Sequence, residues 1–295
     1  VVNSSSVIID SAVSTSYTLS NNITLNTQGA IGLGGGNIGN LTLTGTISGS
    51  GALKVDVGTG IITLNGLNTF TGNVVVDRAL DGNGGLSFNS IANAGVASAL
   101  GAGSSIGTGV GSYTAALRYT GNVAASTNRT IAMGGGGLII RSDAAALTWT
   151  GNITAASSIP LYLQGSAGGG ANFNELSGAF LSGSSLIISA GSGNDVWRIS
   201  GNNTHTGLTQ ITNTSTMIAA NANTFGTTAN GTQVDTHGQL LLTGNISVGA
   251  EALTLNSGVA ASWNGYTGAA LRSISGNNSW GGNITLGQAT TIGTD

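Results

Sequence analysis

Residues 64–74 read LNGLNTFTGNV, and the same frame returns as ISGNNTHTGLT at residues 199–209 and as ISGNNSWGGNI at residues 274–284. Each copy begins with an apolar residue, followed at intervals of two by glycine and asparagine. A hydroxyl residue and a ring come next, and a second glycine lies two positions beyond the ring. A chain that repeats strand, Gly-Asn corner and strand builds one unit several times. The frame therefore predicts a stacked, quasi-one-dimensional fold.

The fixed positions of this frame are predicted to form structural corners between strands. Glycine and asparagine tolerate the positive φ that tight corners require, and we expect each ring to pack on a neighbouring residue at its corner. The predicted corner residues are Gly66, Asn68, Phe70 and Gly72, then Gly201, Asn203, His205 and Gly207, and finally Gly276, Asn278, Trp280 and Gly282.

A second frame supports the first. It reads LTLTGTIS at residues 41–48, LRYTGNV at 117–123, LTWTGNIT at 147–154 and LLLTGNIS at 240–247. The offsets between copies are irregular, so we expect loops of different length to interrupt a regular core.

The apolar segments are short and alternating, which favours strands over helices. Strands of three to five residues suit the sides of a parallel β-helix better than a sandwich of hairpins, in which strands are usually longer. We predict an all-β solenoid with roughly 20–25 residues per coil, running over residues 1–295 as one segment. Strand-like patterns near both termini indicate a piece of a longer chain or assembly.

Composition narrows the classes of function. Only 6% of the 295 residues are charged, the net charge is −3, and the seven basic residues are scattered. Nucleic acid is therefore not an expected partner. No apolar run approaches the roughly 18–20 residues that span a bilayer, so we expect no membrane insertion by this segment. Cysteine is absent, which excludes disulfides and thiolate metal sites.

These phrases resemble the autotransporter-associated β-strand repeat, also called the passenger-associated transport repeat. The core of that repeat reads roughly Leu-x-Gly-x-Asn-Thr-Tyr-Thr-Gly-x-Thr-x-Val. Residues 64–76 match it best, residues 199–211 next, and residues 274–286 more loosely. The resemblance implies a secreted, right-handed parallel β-helix from a bacterial surface protein. It also implies an extracellular or cell-surface location, no enzyme activity and no cofactor.

Few residues suggest site chemistry. Asp235 and His237 would share one face of a strand, but no third group joins them into a metal or acid–base site. The turn at residues 191–195 echoes one copy of a calcium-binding nonapeptide, which works only in consecutive copies. The carboxylates are spread thinly. We therefore predict no catalytic residue, no metal site and no cofactor, and a polysaccharide-active β-helix enzyme is the least favoured alternative.

Two functions remain open on the sequence. The first is an extracellular structural rod, acting as a stalk, sheath or filament segment that pairs with itself by end-to-end or lateral β stacking. The second is a passenger-type adhesin that binds a surface or glycan through loops such as residues 80–112 or 165–183. A sugar-stacking surface would use aromatic rings, and the candidates are Trp149, Trp197, Trp263, Trp280 and Tyr266.

Overall fold

The protein is described by a computed structural model, which covers residues 8–10, 15–33, 39–58, 60–78, 84–109, 111, 113–156, 158–189, 194–258 and 261–295. These residues form strands, bridges, turns and bends, and no helix occurs among them. The strands pair in parallel and stack as a β-solenoid. The predicted all-β solenoid class is confirmed. The right-handed sense and the single segment over residues 1–295 stay predictions.

The chain divides into two compact units, residues 1–141 and 142–295. The strands of the first unit are β1 (Ile8–Asp10), β2 (Tyr17–Leu19), β3 (Ile23–Thr24), β4 (Gly29–Leu33), β5 (Leu41–Leu43), β6 (Ile47–Ser48), β7 (Leu53–Val57), β8 (Ile61–Leu64), β9 (Val74–Arg78), β10 (Gly85–Phe88), β11 (Ser105–Thr108), β12 (Ala115–Tyr119), β13 (Ala125–Thr127), β14 (Thr130–Met133) and β15 (Leu138–Ser142), the last of which ends on the first residue of the second unit.

The strands of the second unit are β16 (Leu147–Trp149), β17 (Ile153–Ala155), β18 (Leu161–Gln164), β19 (Asn174–Leu176), β20 (Phe180–Leu181), β21 (Leu186–Ser189), β22 (Val196–Ile199), β23 (Thr209–Thr212), β24 (Thr216–Ala219), β25 (Thr232–Val234), β26 (Gln239–Thr243), β27 (Ser247–Val248), β28 (Leu253–Leu255), β29 (Leu271–Ser275), β30 (Ser279–Trp280), β31 (Ile284–Leu286) and β32 (Ile292–Thr294).

Strands from successive coils lie side by side in each unit. In the first unit one row runs β1-β4-β7-β9-β11-β14 and another runs β2-β5-β8-β10-β12-β15. In the second unit the longest rows run β16-β19-β22-β24-β26-β29-β32 and β18-β21-β23-β25-β28-β31. Each coil thus contributes one strand to each row, which gives every inward side chain an equivalent in the next coil.

The core of each unit is built from columns of such equivalent side chains. Leu43, Leu64, Phe88 and Tyr119 form one column in the first unit, with the rings of Phe88 and Tyr119 5.9 Å apart. Ile188, Ile211, Val234 and Leu255 form a column in the second unit, and all four are fully buried. Alternation within strands such as β18, buried at every second residue, places these side chains inside.

Coil length varies because loops project from the corners. The hydrogen bond between Ile47 and Asn68 joins residues of successive coils that are 21 apart in the chain, whereas the bond between Asn68 and Ala99 joins residues that are 31 apart. The two loops predicted for adhesion are shorter than expected. The range 80–112 contains β10 and β11, and the range 165–183 contains β19 and β20, because Gly- and Ser-rich stretches conceal short strands. Residues 80–83, 110 and 112 lie outside the described residues.

Candidate functional site

The corner asparagines connect consecutive coils. The buried Asn68 side chain accepts a hydrogen bond from the Ile47 amide at 2.7 Å and donates one to the Ala99 carbonyl at 2.6 Å. The buried Asn203 does the same between the Phe180 amide at 2.9 Å and the Thr224 carbonyl at 2.8 Å. Each amide therefore satisfies one backbone group of the preceding coil and one of the following coil, where water has no access.

The third copy makes only half of this arrangement. Asn278 accepts from the Ile246 amide of the preceding coil at 2.9 Å. Its Nδ2 atom turns to Ser273 Oγ and to the Ser275 carbonyl, both at 2.9 Å and both in its own coil. The side chain is half-buried. The corner at Asn278 therefore has the backward contact of its sister copies without the forward one.

The corner glycines allow backbones to approach closely. A Cβ atom added to Gly66 would lie deep inside van der Waals contact with the Gly45 carbonyl oxygen, and one added to Gly201 would meet the Gly178 carbonyl in the same way. Among the frame glycines and asparagines only Gly276 has a positive φ, +79°, so the expectation of positive φ at these corners is wrong for the others. At the other frame glycines it is the close approach of two backbones that requires glycine. The remaining corner glycines also face backbone of the preceding coil: Gly72 meets Gly51, Gly207 meets Ser184, and Gly282 meets Glu251.

The rings of the first two copies are buried under a glycine of the next coil. Phe70 lies beneath Gly101, which has a φ of +68°, and His205 lies beneath Gly226, which has a φ of +81°. Trp280 differs from both. It is half-buried, packs edge-on against Phe225 with ring centroids 4.9 Å apart, and donates its indole N–H to the Glu251 carbonyl at 2.7 Å. The expected packing of corner rings is present in all three copies.

His205 is a neutral core residue. Burial lowers its pKa to about 4. Thr209 Oγ1 donates to the Phe225 carbonyl at 3.1 Å, so it receives the proton of His205 Nε2 across 2.8 Å. Nδ1 has no hydrogen-bond partner among the described residues. The histidine can donate one hydrogen bond here, and it is closed to a substrate because no part of it reaches solvent.

Asp235 and His237 lie in different environments. Strand β25 ends at Val234, and His237 is exposed in a turn with a φ of +62°. The Asp235 carboxylate instead accepts amide protons from Gln210, Gln233 and Asn256 at 2.5, 2.6 and 3.1 Å. The two residues do not share a strand face, because the chain turns at Thr236 and His237, directly after Asp235.

Arg129 is a structural centre that the sequence reading missed. Its fully buried guanidinium lies beneath the loop between β10 and β11. Nε donates to the Ala92 carbonyl at 3.0 Å. Nη1 donates to the carbonyls of Leu100, at 3.3 Å, and Gly103. Nη2 donates to the carbonyls of Val96, at 3.3 Å, and Gly101, at 2.6 Å. Desolvation lowers the pKa of this guanidinium. The sequence carried one indication of this role. Arg129 precedes the buried Ile131 and Met133 of β14 by two and four residues, and alternation predicts that its side chain points inwards as theirs do.

The last coil of the second unit leaves core positions open. Ile284 and Leu286 pair with Leu253 and Leu255, which are buried, yet they are 38% and 58% exposed. Ile292 pairs with Leu271 and is 52% exposed. We call these three exposed apolar side chains, Ile284, Leu286 and Ile292, the end face.

The aromatic residues do not form one stacking surface. Trp149 and Trp197 are fully buried, and Trp197 donates to the Gln164 carbonyl at 3.0 Å. Trp263 and Tyr266 do come together, with ring centroids 6.1 Å apart. Trp149 and Trp197 are not available to a sugar-stacking surface, because alternation places both rings in the core.

Trp263 belongs to an apolar cluster on the outer face of the second unit. It covers Val196, Ile218 and Leu241, and Phe173 and Tyr266 pack against the same group. Its indole N–H donates to the Asn172 carbonyl at 3.0 Å. This bond joins the excursion after β18 to the turn before β29, although the two segments are 91 residues apart in the chain.

A cavity of about 440 Å³ opens beside this cluster. Val196, Thr216 and Trp263 contribute buried walls, and the rim comes from Ser166, Gly169 and Gly170, from Asn194, and from Ser262 and Asn264. None of these lining residues carries a charge. We call this space the Trp263 cavity.

The described residues offer no metal site and no membrane-spanning helix. No group of three or more His, Asp or Glu side chains that could hold a metal ion occurs among the described residues. Within those ranges there is also no helix of the length and apolarity needed to cross a membrane. The predicted calcium-like turn, residues 191–195, falls largely outside the described residues.

Comparison with protein-family models, with curated proteins and with solved structures finds no match for this chain.

Proposed function

We propose that this chain is a segment of an extracellular structural β-solenoid of a bacterial surface protein, and that its end face pairs with a further coil, which a second copy of this chain can supply. The observation that carries the proposal is the exposure of Ile284, Leu286 and Ile292 at positions that are buried one coil earlier. The proposal assigns the chain no catalytic activity and no cofactor.

The end face fits an additional coil better than it fits water. Strands β31 and β32 are the outermost strands of their rows, and an outer strand presents unpaired N–H and C=O groups that template further pairing. Proteins usually block such edges with charged side chains, but the end-face residues are all apolar. A further coil would bury these side chains, as their equivalents one coil earlier are buried.

The surface-protein part of the proposal rests on the repeats. The three corner frames resemble passenger repeats of secreted bacterial proteins, and their corner contacts recur between coils. The chain has no cysteine and little charge, so hydrogen-bonded ladders and apolar columns must supply its stability. Such a fold suits an extended scaffold, because each coil needs only its two neighbours.

A matched pair of lysine variants tests end-to-end association. Leu286→Lys puts a charge at an inward position of β31, whereas Thr285→Lys puts the same charge on the outward side of the same strand. An inward charge blocks edge pairing, so we expect Leu286→Lys to weaken association at least about tenfold and Thr285→Lys to leave it nearly unchanged. Sedimentation velocity over a concentration series, with electron microscopy of the same samples, measures both.

Two results would contradict the proposal. One is a wild-type protein that stays monomeric at the highest attainable concentration. The other is equal association of the two lysine variants, which would move the contact away from the end face and towards lateral stacking. Because Leu286 is exposed, loss of folding is not expected to obscure the comparison, and circular dichroism of both variants checks this.

A second candidate function, glycan adhesion, is favoured by a different observation, the Trp263 cavity.

A further inference from the structure

Several residues with left-handed backbone surround the Trp263 cavity. Ala167, Asn194 and Asn264 have φ values of +52°, +49° and +48°, and Gly169 and Gly170 have values of +76° and +64°. All except Ala167 line the cavity, and Ala167 lies next to Ser166, which does. Left-handed backbone is costly for alanine, and such residues collect where a ligand is clamped. Three separate turns thus adopt uncommon conformations around one space.

Hydrogen bonds and ring contacts hold these turns in place. The Gly168 amide donates to the Asp143 carbonyl at 2.6 Å, and the Gly169 amide donates to the Ser166 carbonyl at 2.8 Å. Phe173 packs edge-on against Trp263 with centroids 6.1 Å apart. Together with the bond from the Trp263 indole to Asn172, these contacts fix the excursion after β18 against the Trp263 turn on two sides of the cavity.

The chemistry of the walls selects a class of ligand. Val196 and Trp263 give an apolar floor, whereas the exposed residues Ser262, Asn194 and Asn264 give hydroxyl and amide groups at the rim. Because no lining residue is charged, an ionised ligand would lose water without gaining a counter-charge. A neutral pyranose has an apolar C–H face and a rim of hydroxyls, which matches this distribution.

The volume of the Trp263 cavity also agrees with a saccharide ligand. Ligand sites generally measure about 300–1,000 Å³, and a cavity of about 440 Å³ accommodates one or two sugar rings. We propose that the Trp263 cavity is a binding site for a neutral saccharide unit, with the ring on the Val196–Trp263 floor and its hydroxyls on Asn194, Ser262 and Asn264. This inference is independent of self-association, because it uses none of the end-face residues.

The test uses substitutions that keep the backbone geometry. Glycine adopts positive φ without strain, so Asn194→Gly with Asn264→Gly removes both rim amides while preserving both turns. Asn213→Gly is the matched control, since Asn213 is also exposed, has a φ of +50° and does not line the cavity. The probes are the methyl glycosides of glucose, galactose, mannose and N-acetylglucosamine, with glucuronic acid as the charged comparison.

Binding is followed by nuclear magnetic resonance of the Trp263 indole N–H, which is assigned by its disappearance in Trp263→Phe, and by saturation transfer to the probe. We expect a saturable shift with at least one neutral glycoside. The double glycine variant should bind it at least about tenfold more weakly, since each lost hydrogen bond contributes a several-fold effect, and Asn213→Gly should bind it like the wild type.

Three outcomes would overturn the inference. None of the neutral glycosides shifts the Trp263 indole; the double variant binds as tightly as Asn213→Gly; or glucuronic acid binds more tightly than the neutral sugars. The first excludes a saccharide site at this cavity, the second places binding elsewhere, and the third contradicts a neutral ligand.

Discussion

At the scale of single residues, one frame position holds three different rings whose behaviour depends on the following coil. Phe70 and His205 are fully buried because a glycine with positive φ from the next coil lies over each. Trp280, at the equivalent position, is half-buried. The asparagines follow the same rule, since Asn203 bridges two coils and Asn278 only one. Position in the stack, rather than residue type, decides the environment.

His205 gives a pH dependence whose sign follows from its pKa of about 4. The unfolded chain takes up this proton near pH 6.5, whereas the folded chain does so only near pH 4. Stability is therefore complete above pH 6.5 and declines as the pH falls towards 4, by about 3 kcal/mol in total. Urea unfolding of the wild type and of His205→Phe at neutral pH and near pH 4.5 measures the difference.

His205→Phe is the reference for the wild type, because it lacks the titrating ring. The buried Phe70 at the equivalent position of the first copy shows that this site in the repeat accepts a phenylalanine ring. Carboxylates that titrate in the same range affect both proteins equally and cancel in the comparison. Parallel pH profiles for the two proteins would contradict a buried neutral histidine.

At the scale of elements, Arg129 organises the loop between β10 and β11. This segment contains turns and no helix, and its carbonyls converge on one guanidinium. A planar group with five donors can serve several carbonyls at once, which an ammonium cannot do. The loop therefore takes its shape from a side chain that lies outside it in the sequence.

Substitution of Arg129 should release this loop. We expect both Arg129→Lys and Arg129→Met to cost about 3 kcal/mol of unfolding free energy, because each leaves several buried carbonyls without donors. Amide hydrogen exchange over residues 92–103 should accelerate at least about tenfold. Arg118→Lys, on the half-buried side of β12, is the control with a small effect. Full protection of the loop in Arg129→Lys would show that charge rather than fork geometry matters.

At the scale of the whole molecule, stability rests on apolar columns and neutral hydrogen bonds. Three ion pairs, Lys54–Asp77 at 2.5 Å, Arg198–Glu175 at 3.8 Å and Arg272–Asp295, are all partly exposed. Such pairs contribute little, and salt screens them further. The same scarcity of charge leaves the end face without the usual protection against pairing.

Ionic strength should consequently have a small effect on folding. We expect the free energy of unfolding in urea to change by less than about 1 kcal/mol between dilute buffer and about 1 M sodium chloride. Urea is used because guanidinium is itself a salt. A loss of several kcal/mol at high salt would indicate charge networks that the described ion pairs do not explain.

Much of the architecture could be predicted from the sequence. The corner frames and the short alternating segments predicted an all-β stack, because a period of two and a recurring Gly-Asn corner have few other physical solutions. The loops were located but their bounds were too wide, since β11 and β19 lie within glycine-rich stretches. Arg129 was overlooked because its acceptors are backbone carbonyls, which no residue pattern reveals.

The local residue pattern thus determines which strands and corners each coil contains, and the neighbouring coils determine how far each side chain is buried and what it contacts. The class of fold and the positions of the corners follow from composition and periodicity alone. The neutral state of His205, the exposure of Leu286 and the joining of Trp263 to Asn172 depend on contacts between segments 16 to 91 residues apart. Such contacts arise only after the coils have stacked, because burial is a property of the neighbours and not of the residue.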